Sequence, residues 1–477
     1  MPSKTIRIFI LLSLMVGGGC QLNRQVQAPI SGVKPPTPEA NDALVALPPM
    51  PIDEESPSAE VTPVTFQDEM AAPSENIDSA SPAALPSDSF LKLSDLETLA
   101  QANNPALAQA SANVEAARGN YVQVGLPPNL RAAYSASEIG NESAAGQQGG
   151  YLAQEFVTGH KLRLNRQVAA WQVQRAESQL RSVRLRVLTD VRSGYYNVLI
   201  AQRRRDLAAD LVRISKQAVE AAGALFHSGE VSEADPLRAR VEAASAQILL
   251  QNSINQHIEA WRRLAAVLGL PDMQLTRLEG QLDAQQIDIS WQGTLAEILQ
   301  ESPEMAAAMA NIEAARWTIE RAYAQIRPNI DIKAGAALDN STGDTISNVR
   351  VEIPLPLWNR NQGGIRQAQA QARAAQRAAD RLALDLQARL ASVFQRYQSA
   401  RNQVEKYSGK GGILESAERT LELIRAGYQA EEFGVLDLVT AQRTYFQANL
   451  AYLDSLRELW TAAIEIEGLL LSNSLAK

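Results

Sequence analysis

The side chains that most often bind metals or act as acid–base catalysts are few in this chain and widely spaced. Its three histidines are His160, His227 and His257, and none lies at the short spacing of a zinc site. His227 adjoins a break between helical stretches, which is the one positional argument for a ligand, whereas a solvated loop histidine is the simpler interpretation. No phosphate-binding loop or nucleophile elbow is present. The sequence predicts no cofactor, no metal site and no enzyme.

Cys20, the only cysteine, ends an N-terminal segment with the features of a secretory signal. A charged start precedes a mostly apolar run, residues 8–16, that is too short to span a bilayer. The small residues before Cys20 resemble a bacterial lipoprotein cleavage site, although Gly17 stands where leucine is usual, and Gln21 resembles the outer-membrane sorting pattern. We expect residues 1–20 to be a signal peptide and Cys20 to carry lipid. The alternative is an ordinary signal with an incidental cysteine.

Acidic charge is concentrated in residues 21–88, which hold eleven acids, two bases and twelve of the 22 prolines. Such a composition cannot bury enough apolar surface to offset the entropy of ordering the chain, so we expect a disordered linker. The remaining chain is close to neutral, and nothing in it has the basic character of a nucleic-acid-binding surface.

A segment near the start of the chain recurs about two hundred residues later. Asn104–Arg118 and Ser302–Arg316 share nine of fifteen positions, and a Pro-Asn pair follows each at nearly the same distance. The period is far too long for a solenoid repeat. The chain is therefore interpreted as two fused copies of one module, residues 89–275 and 276–477.

Each half contains long helical stretches. Residues 161–222 lack proline and hold one glycine, and apolar residues recur there at steps of three or four, the seam of a packed helix about 90 Å long. A break at Ser228-Gly229 precedes a returning helix from about Asp235-Pro236 to Leu268. The second half repeats this pattern with helices from about 364 to 408 and from about 436 to 471. An additional glycine-rich break, residues 408–412, predicts a small non-helical feature partway along the column.

Alternating sequence between the first helices and the long helices predicts one strand hairpin per half. The clearer pair is about 330–338 and 349–355, and the weaker pair is about 130–138 and 151–158. Each run has the length of a tilted membrane-crossing strand. Four strands cannot close a barrel, and an open sheet edge is not tolerated in lipid, so the protein must be an oligomer. Three copies would supply twelve strands.

These features together resemble the TolC-like outer-membrane efflux factors over about residues 90–475. The most specific matches are the helix tips, residues 427–443 and their first-half counterpart 229–239. The turn at 354–363 is similar to that of the cobalt–zinc–cadmium efflux branch. The resemblance implies a mostly α-helical, internally duplicated fold. A homotrimer would form a small twelve-strand barrel in outer-membrane lipid and a long helical tunnel in the periplasm. It would dock with a periplasmic adaptor and an inner-membrane efflux pump.

The resemblance also assigns roles to the tips. Asp437 maps onto a ring of aspartates that narrows the closed pore, where carboxylates brought together by symmetry repel one another and attract cations. The family's second acidic position is Thr440 here, so a two-tier acid gate is in doubt, and the tip glycine kept as Gly229 is replaced by Glu431. Asp235 and Asp437 have an alternative role as helix N-caps, which stabilise by about 1 kcal/mol. The residues predicted for the tips and adaptor docking are Gly229, Asp235, Leu237, Glu431, Glu432 and Thr440.

Trp358 lies at a strand end, where it could join an aromatic girdle at the bilayer interface or pack between barrel and tunnel. The leading functional hypothesis is a passive exit duct for heavy-metal cations. A structural lipoprotein that tethers the envelope through coiled helices is the main alternative, and an outlet for drugs or secreted proteins is another. A tether does not need alternating strands, so the hairpins discriminate between duct and tether.

Overall fold

The computed structural model describes residues 91–140, 146–282, 289–430 and 432–475. The signal segment, Cys20, the acidic linker and Glu431 lie outside these residues, so the predictions made for them stay predictions. The elements, in chain order, are α1 (Leu93–Asn103), α2 (Pro105–Gln123), β1 (Arg131–Ser137), β2 (Gln147–Phe156), α3 (Lys161–Ser228), α4 (Ala234–Leu268), α5 (Trp291–Glu301), α6 (Pro303–Ala324), β3 (Ile330–Asp339), β4 (Thr345–Glu352), α7 (Gln362–Ser408), α8 (Ile413–Gln429) and α9 (Val435–Glu467).

The four strands form one antiparallel sheet in the order β1-β2-β3-β4, which confirms one hairpin per half. The central pair joins the halves, because β2 of the first half pairs with β3 of the second from Gln147↔Asp339 to Phe156↔Ile330. β1 and β4 each pair on one side, so within the described part of the chain the sheet keeps two edges without a strand partner.

The register sorts the side chains of the sheet into two faces of different chemistry, because successive residues of a strand point to opposite sides. One face is mostly apolar and consists largely of Tyr134, Leu152, Phe156, Ile330, Ile332, Ala334, Ala336, Leu338, Val349 and Val351. The opposite face carries the charged residues Arg131, Glu155, Asp331, Lys333, Arg350 and Glu352. Ion pairs on that face join Lys333 to Glu352 at 3.5 Å and Arg131 to Asp331 at 3.7 Å. This alternation is that of a membrane strand with lipid on one side and water on the other.

Three strand boundaries differ clearly from the sequence prediction. β4 begins at Thr345 because a tight turn closes the hairpin early, with Gly343 N–H donating to Asp339 O at 2.7 Å. It ends at Glu352 rather than at residue 355, since Pro354 has no N–H to give to a neighbouring strand. β2 likewise begins at Gln147, four residues earlier than predicted.

The long helices of the two halves have matching lengths. α3 contains 68 residues, about 100 Å at 1.5 Å per residue, and α7, the break and α8 together cover the same span from residue 362 to 429. Each column starts after a residue in the left-handed conformation, His160 with φ 57° and Asn361 with φ 54°. The predicted break is confirmed at residues 409–412, so the second column is interrupted without being longer.

The helices pack mainly around α3, which contacts α2, α4, α6 and α9. Its buried seam includes Val187, Val191, Tyr195 and Val198, as the spacing predicted. These residues form one core with Leu96, Trp261 and Leu264, and a second core joins α7 to α9. α9 begins at Val435 and ends at Glu467, four residues before the predicted end. No helix in the described ranges is long and apolar enough to cross a membrane.

Candidate functional site at the helix tips

The first tip is the turn between α3 and α4. Gly229 lies just past α3 with φ 83°, and two backbone bonds close the turn, from Gly229 N–H to Phe226 O (3.1 Å) and from Glu230 N–H to Leu225 O (2.9 Å). This pair of bonds is the Schellman motif, in which glycine adopts the left-handed conformation at least cost. The tip glycine predicted from the sequence therefore has a defined conformational role.

The second tip, between α8 and α9, is closed by an aromatic ring instead. A Cβ atom placed on Gly427 would lie 2.3 Å from the ring of Phe433, so that ring lies directly against the glycine. Glu432 N–H donates to Gly427 O at 2.8 Å and holds the loop in this position. Glu432 itself is exposed.

The turn between α3 and α4 and the turn between α8 and α9 lie together, at the ends of the long helices opposite to those that follow the strands. Their shared core consists of Ala218, Ala222, Ala239, Tyr428, Val435 and Leu438. Two polar contacts also join the hairpins: Arg443 Nη2 lies 2.6 Å from Glu242 Oε2, and Arg425 donates to Gln217 Oε1 at 3.3 Å. Residues that are about two hundred positions apart in the sequence are therefore in contact at this end of the molecule.

Asp437 is exposed in the first turn of α9. Its Oδ2 accepts a hydrogen bond from Gly434 N–H at 3.2 Å, which satisfies a backbone donor that the helix leaves free. The carboxylate therefore contributes to the cap of α9, and it also presents negative charge to solvent. The capping contact and a charge in a pore are compatible, because a carboxylate has several acceptor positions.

Asp235 is the second residue of α4, and Ser232 Oγ, not Asp235, accepts the N–H of Ala234 at 3.2 Å. The interpretation of Asp235 as the N-cap of α4 is therefore wrong, since the helix starts at Ala234, two residues before Pro236. The carboxylate lies 3.4 Å from the guanidinium of Arg238. Its charge also acts on Tyr428 of the other hairpin: burial first, and then Asp235, raise the pKa of the Tyr428 phenol.

A groove of about 320 Å³ lies between α3, α8 and α9 beside this tyrosine. Ala218, Ala221 and Leu225 line one wall, and Tyr428 and Gln442 line the other. Both are buried, at 7% and 3% exposure, yet the Tyr428 hydroxyl and Gln442 Oε1 have no hydrogen-bond partner in the described part of the chain. A buried polar group without a partner costs about 1–3 kcal/mol, and both residues line this groove.

The remaining predicted tip residues are on the surface. Leu237 is 50% exposed in the first turn of α4, and the hydroxyl of Thr440 donates to Leu436 O of its own helix at 2.7 Å. Trp358 lies far from the tips, between β4 and α7, and is 86% exposed. It therefore does not pack inside its own chain at the junction of sheet and helices.

Sequence reasoning missed Gly427, Tyr428 and Phe433 as a unit. The available signal was an aromatic residue after a glycine at the end of a helix, followed by a second aromatic in the loop. The pairing of Tyr428 with Asp235 carried no sequence signal, because it depends on how the two hairpins pack.

Replacing Gly427 with alanine tests the contact with Phe433. Alanine in a helix normally stabilises by about 1 kcal/mol relative to glycine, but here the added Cβ must displace the Phe433 ring. We expect Gly427→Ala to lower the unfolding temperature of the purified protein. Gly223→Ala in α3 is the matched control, since no atom lies within 4 Å of its added Cβ, and it should raise that temperature. An equal rise in both variants would contradict the contact.

Replacing Tyr428 with phenylalanine removes a buried hydroxyl that has no partner. We expect the free energy of unfolding to stay the same or to rise by up to about 1 kcal/mol. The control is Tyr195→Phe, which should lose about 1 kcal/mol because the Tyr195 hydroxyl donates to Glu279 O at 2.5 Å. Equal losses in both variants, measured by chemical denaturation, would show that Tyr428 has a partner.

Tyr428→Phe should also change how the stability of the protein depends on pH. Because the raised pKa of Tyr428 means that the folded tip favours the neutral phenol, its contribution to stability is complete below the ordinary pKa of tyrosine. It is lost as the pH rises through the raised pKa. The phenylalanine variant should therefore lose less stability than the parent protein in strongly alkaline buffer.

Comparison with known proteins agrees with this architecture. Residues 96–270 and 294–470 each match the family model described as outer membrane efflux protein. The chain is 30% identical over 297 residues to the cobalt-zinc-cadmium resistance protein CzcC of Cupriavidus metallidurans, covering 62% of this chain and 70% of CzcC. It is 24% identical to the nickel-cobalt-cadmium resistance protein NccC of Alcaligenes xylosoxydans xylosoxydans, covering 60% of this chain and 65% of NccC.

The fold is also similar to that of solved structures. The crystal structure of CusC superposes with a TM-score of 0.67 at 20% identity, covering 80% of this chain and 93% of CusC. The family match has two segments, of which the first extends from α1 to α4 and the second from α5 to α9. The chain therefore belongs to the outer membrane efflux protein family.

Proposed function

We propose that this protein is the outer-membrane duct of a tripartite efflux system. Three copies form a twelve-strand barrel with a helical tunnel beneath it. The tips dock with a periplasmic adaptor, and an inner-membrane pump supplies the energy. The duct does no covalent chemistry, and its cargo is heavy-metal cations.

The observation that carries this proposal is the sheet, which has one mostly apolar face, one charged face and, among the residues that the structure describes, two edges without a strand partner. An apolar face of Ile, Leu, Val and aromatic residues suits lipid, while the charged face suits a water-filled lumen. Edge strands cannot remain unpaired in hydrocarbon, so neighbouring copies must complete the sheet. The exposed Trp358 fits the bilayer interface just below the strands.

Metal cations are favoured as cargo by the relatives, since CzcC and NccC are named for resistance to cobalt, cadmium and zinc or nickel. The carboxylate of Asp437 would support passage of cations if three copies meet at the pore. A gate formed by Asp437 of all three copies would act on cations in general, so the duct needs no dedicated metal-binding site.

Two alternatives remain distinct from this proposal. An envelope tether would have the helices and the lipid anchor but would not need the two-faced sheet. An outlet for drugs or secreted proteins would share the duct and differ in cargo. A deletion strain assayed side by side for metal tolerance, drug tolerance and secretion separates the cargo classes, and loss of metal tolerance alone is the expected result.

The gate is tested with two substitutions at Asp437 in planar bilayers. Asp437→Asn removes the charge but keeps an acceptor for Gly434 N–H, so it should weaken cation preference without lowering the unfolding temperature. Asp437→Ala removes both and should also raise leak and cost about 1 kcal/mol of stability. Thr440→Asp restores a second acid and should strengthen cation preference.

These effects should diminish in 1 M salt, where charges are screened over about 3 Å. Unchanged conductance and selectivity in all three variants would remove Asp437 from the gate. A protein that forms no pores even after the tip acids are neutralised would contradict the duct itself.

A further inference from the structure

The two short helices α2 and α6, which occupy equivalent positions in the repeat, have different numbers of long-helix neighbours. α6 packs against α7 of its own half and against α3 of the other half, whereas its repeat counterpart α2 packs against α3 of its own half. The contact of α6 with α3 thus shows how the short helix of one half packs against the long helix of the other half. The corresponding contact for α2 would need an α7 from elsewhere.

The equivalent positions can be assigned residue by residue. The columns that start at Lys161 and Gln362 span equal lengths, and each follows a left-handed residue, so Lys161 corresponds to Gln362. The Pro-Asn pairs that end the short helices make Asn129 the counterpart of Asn329.

Within the chain, these positions form a partly buried polar cluster. Lys161 Nζ donates to Asn329 Oδ1 at 2.6 Å, and Asn329 Nδ2 donates to Glu155 Oε1 at 2.6 Å. Thr158 Oγ1 donates to Pro328 O at 2.5 Å beside them. Fourteen residues further along α3, Arg175 donates to Asn311 Oδ1 at 3.4 Å. Lys161 is only 6% exposed.

The counterparts of Lys161 and Asn329 are exposed, since Gln362 and Asn129 lie on the surface. Further along the seam Arg175 is itself exposed, and so are Gln376 and Asn113, which correspond to Arg175 and Asn311. The side chain of Gln362 bonds its own turn, accepting from Arg360 N–H at 3.1 Å and donating to Trp358 O at 2.9 Å. Its amide keeps one further donor hydrogen and one further acceptor lone pair. The same backbone arrangement that is covered between the halves is thus left open at the outer faces of α2 and α7.

We propose that α7 of a second copy covers α2 in the register of the internal seam, placing Gln362 of the second copy against Asn129 and its Gln376 against Asn113. This inference rests on the proposed homotrimer and adds the contact register. It also assigns the seam between copies a different chemistry. The internal seam joins the charged Lys161 to Asn329, whereas the seam between copies pairs two neutral amides, Gln362 and Asn129.

A neutral amide pair can be converted into a repulsive or an attractive pair, and this provides the test. Asn129→Asp with Gln362→Glu places two carboxylates across every seam between copies, and Asn129→Asp with Gln362→Lys places opposite charges there. The control is Asn129→Asp with Gln376→Glu, whose acids lie about 21 Å apart along the helix direction if the register is correct. Asn129, Gln362 and Gln376 are all exposed, so each variant should fold.

The readout is the fraction of trimer in detergent, measured by native mass spectrometry from low to high salt. We expect the facing acid pair to raise the dissociated fraction at least threefold at low salt, an effect that 1 M salt abolishes. The acid–lysine pair should match or exceed the parent protein, and the control should dissociate less than the facing acid pair. Equal behaviour of the two facing pairs would overturn the register while leaving the trimer intact. A parent protein that is never trimeric would overturn the proposed function instead.

Discussion

Every unpaired backbone N–H and C=O of a strand needs a hydrogen-bond partner once water is absent, and this requirement dominates the architecture. A chain with four strands can satisfy its inner ladders, from β1 to β4, but not its two outer edges. In hydrocarbon each unmet group costs several kcal/mol. In the proposed membrane setting, the two outer edges of the sheet therefore need strands from neighbouring copies.

The sequence was sufficient to predict features that depend on local periodicity. The seam of α3 from Val187 to Val198 and the strand β3 follow directly from spacings of three to four and of two residues. The end of β4 was wrong because apolar alternation continues past Glu352, whereas hydrogen bonding stops at Pro354. Pattern reports which face a side chain occupies, and it does not report whether the backbone finds a partner.

The contacts at the candidate site were less accessible to sequence reasoning. The Phe433 ring on Gly427 and the charge of Asp235 near Tyr428 bring together loops and hairpins whose spacing is set by tertiary packing. The Lys161–Asn329 bond joins residues 168 positions apart, and neither residue type predicts the other. The sequence did show the repeat. Once the contact of Lys161 with Asn329 is known, the repeat identifies the equivalent positions, Gln362 and Asn129.

Residues 409–412 interrupt the second column without changing its length, since Gly411 has φ 70° and Gly412 N–H donates to Gly409 O at 2.8 Å. The first column runs unbroken through the corresponding level. In a ring of three copies, continuous columns (α3) would thus alternate with interrupted ones (α7 and α8). The break separates α7 from the 17 residues of α8, so in the proposed trimer every second column would be divided near the tips while the others would be continuous.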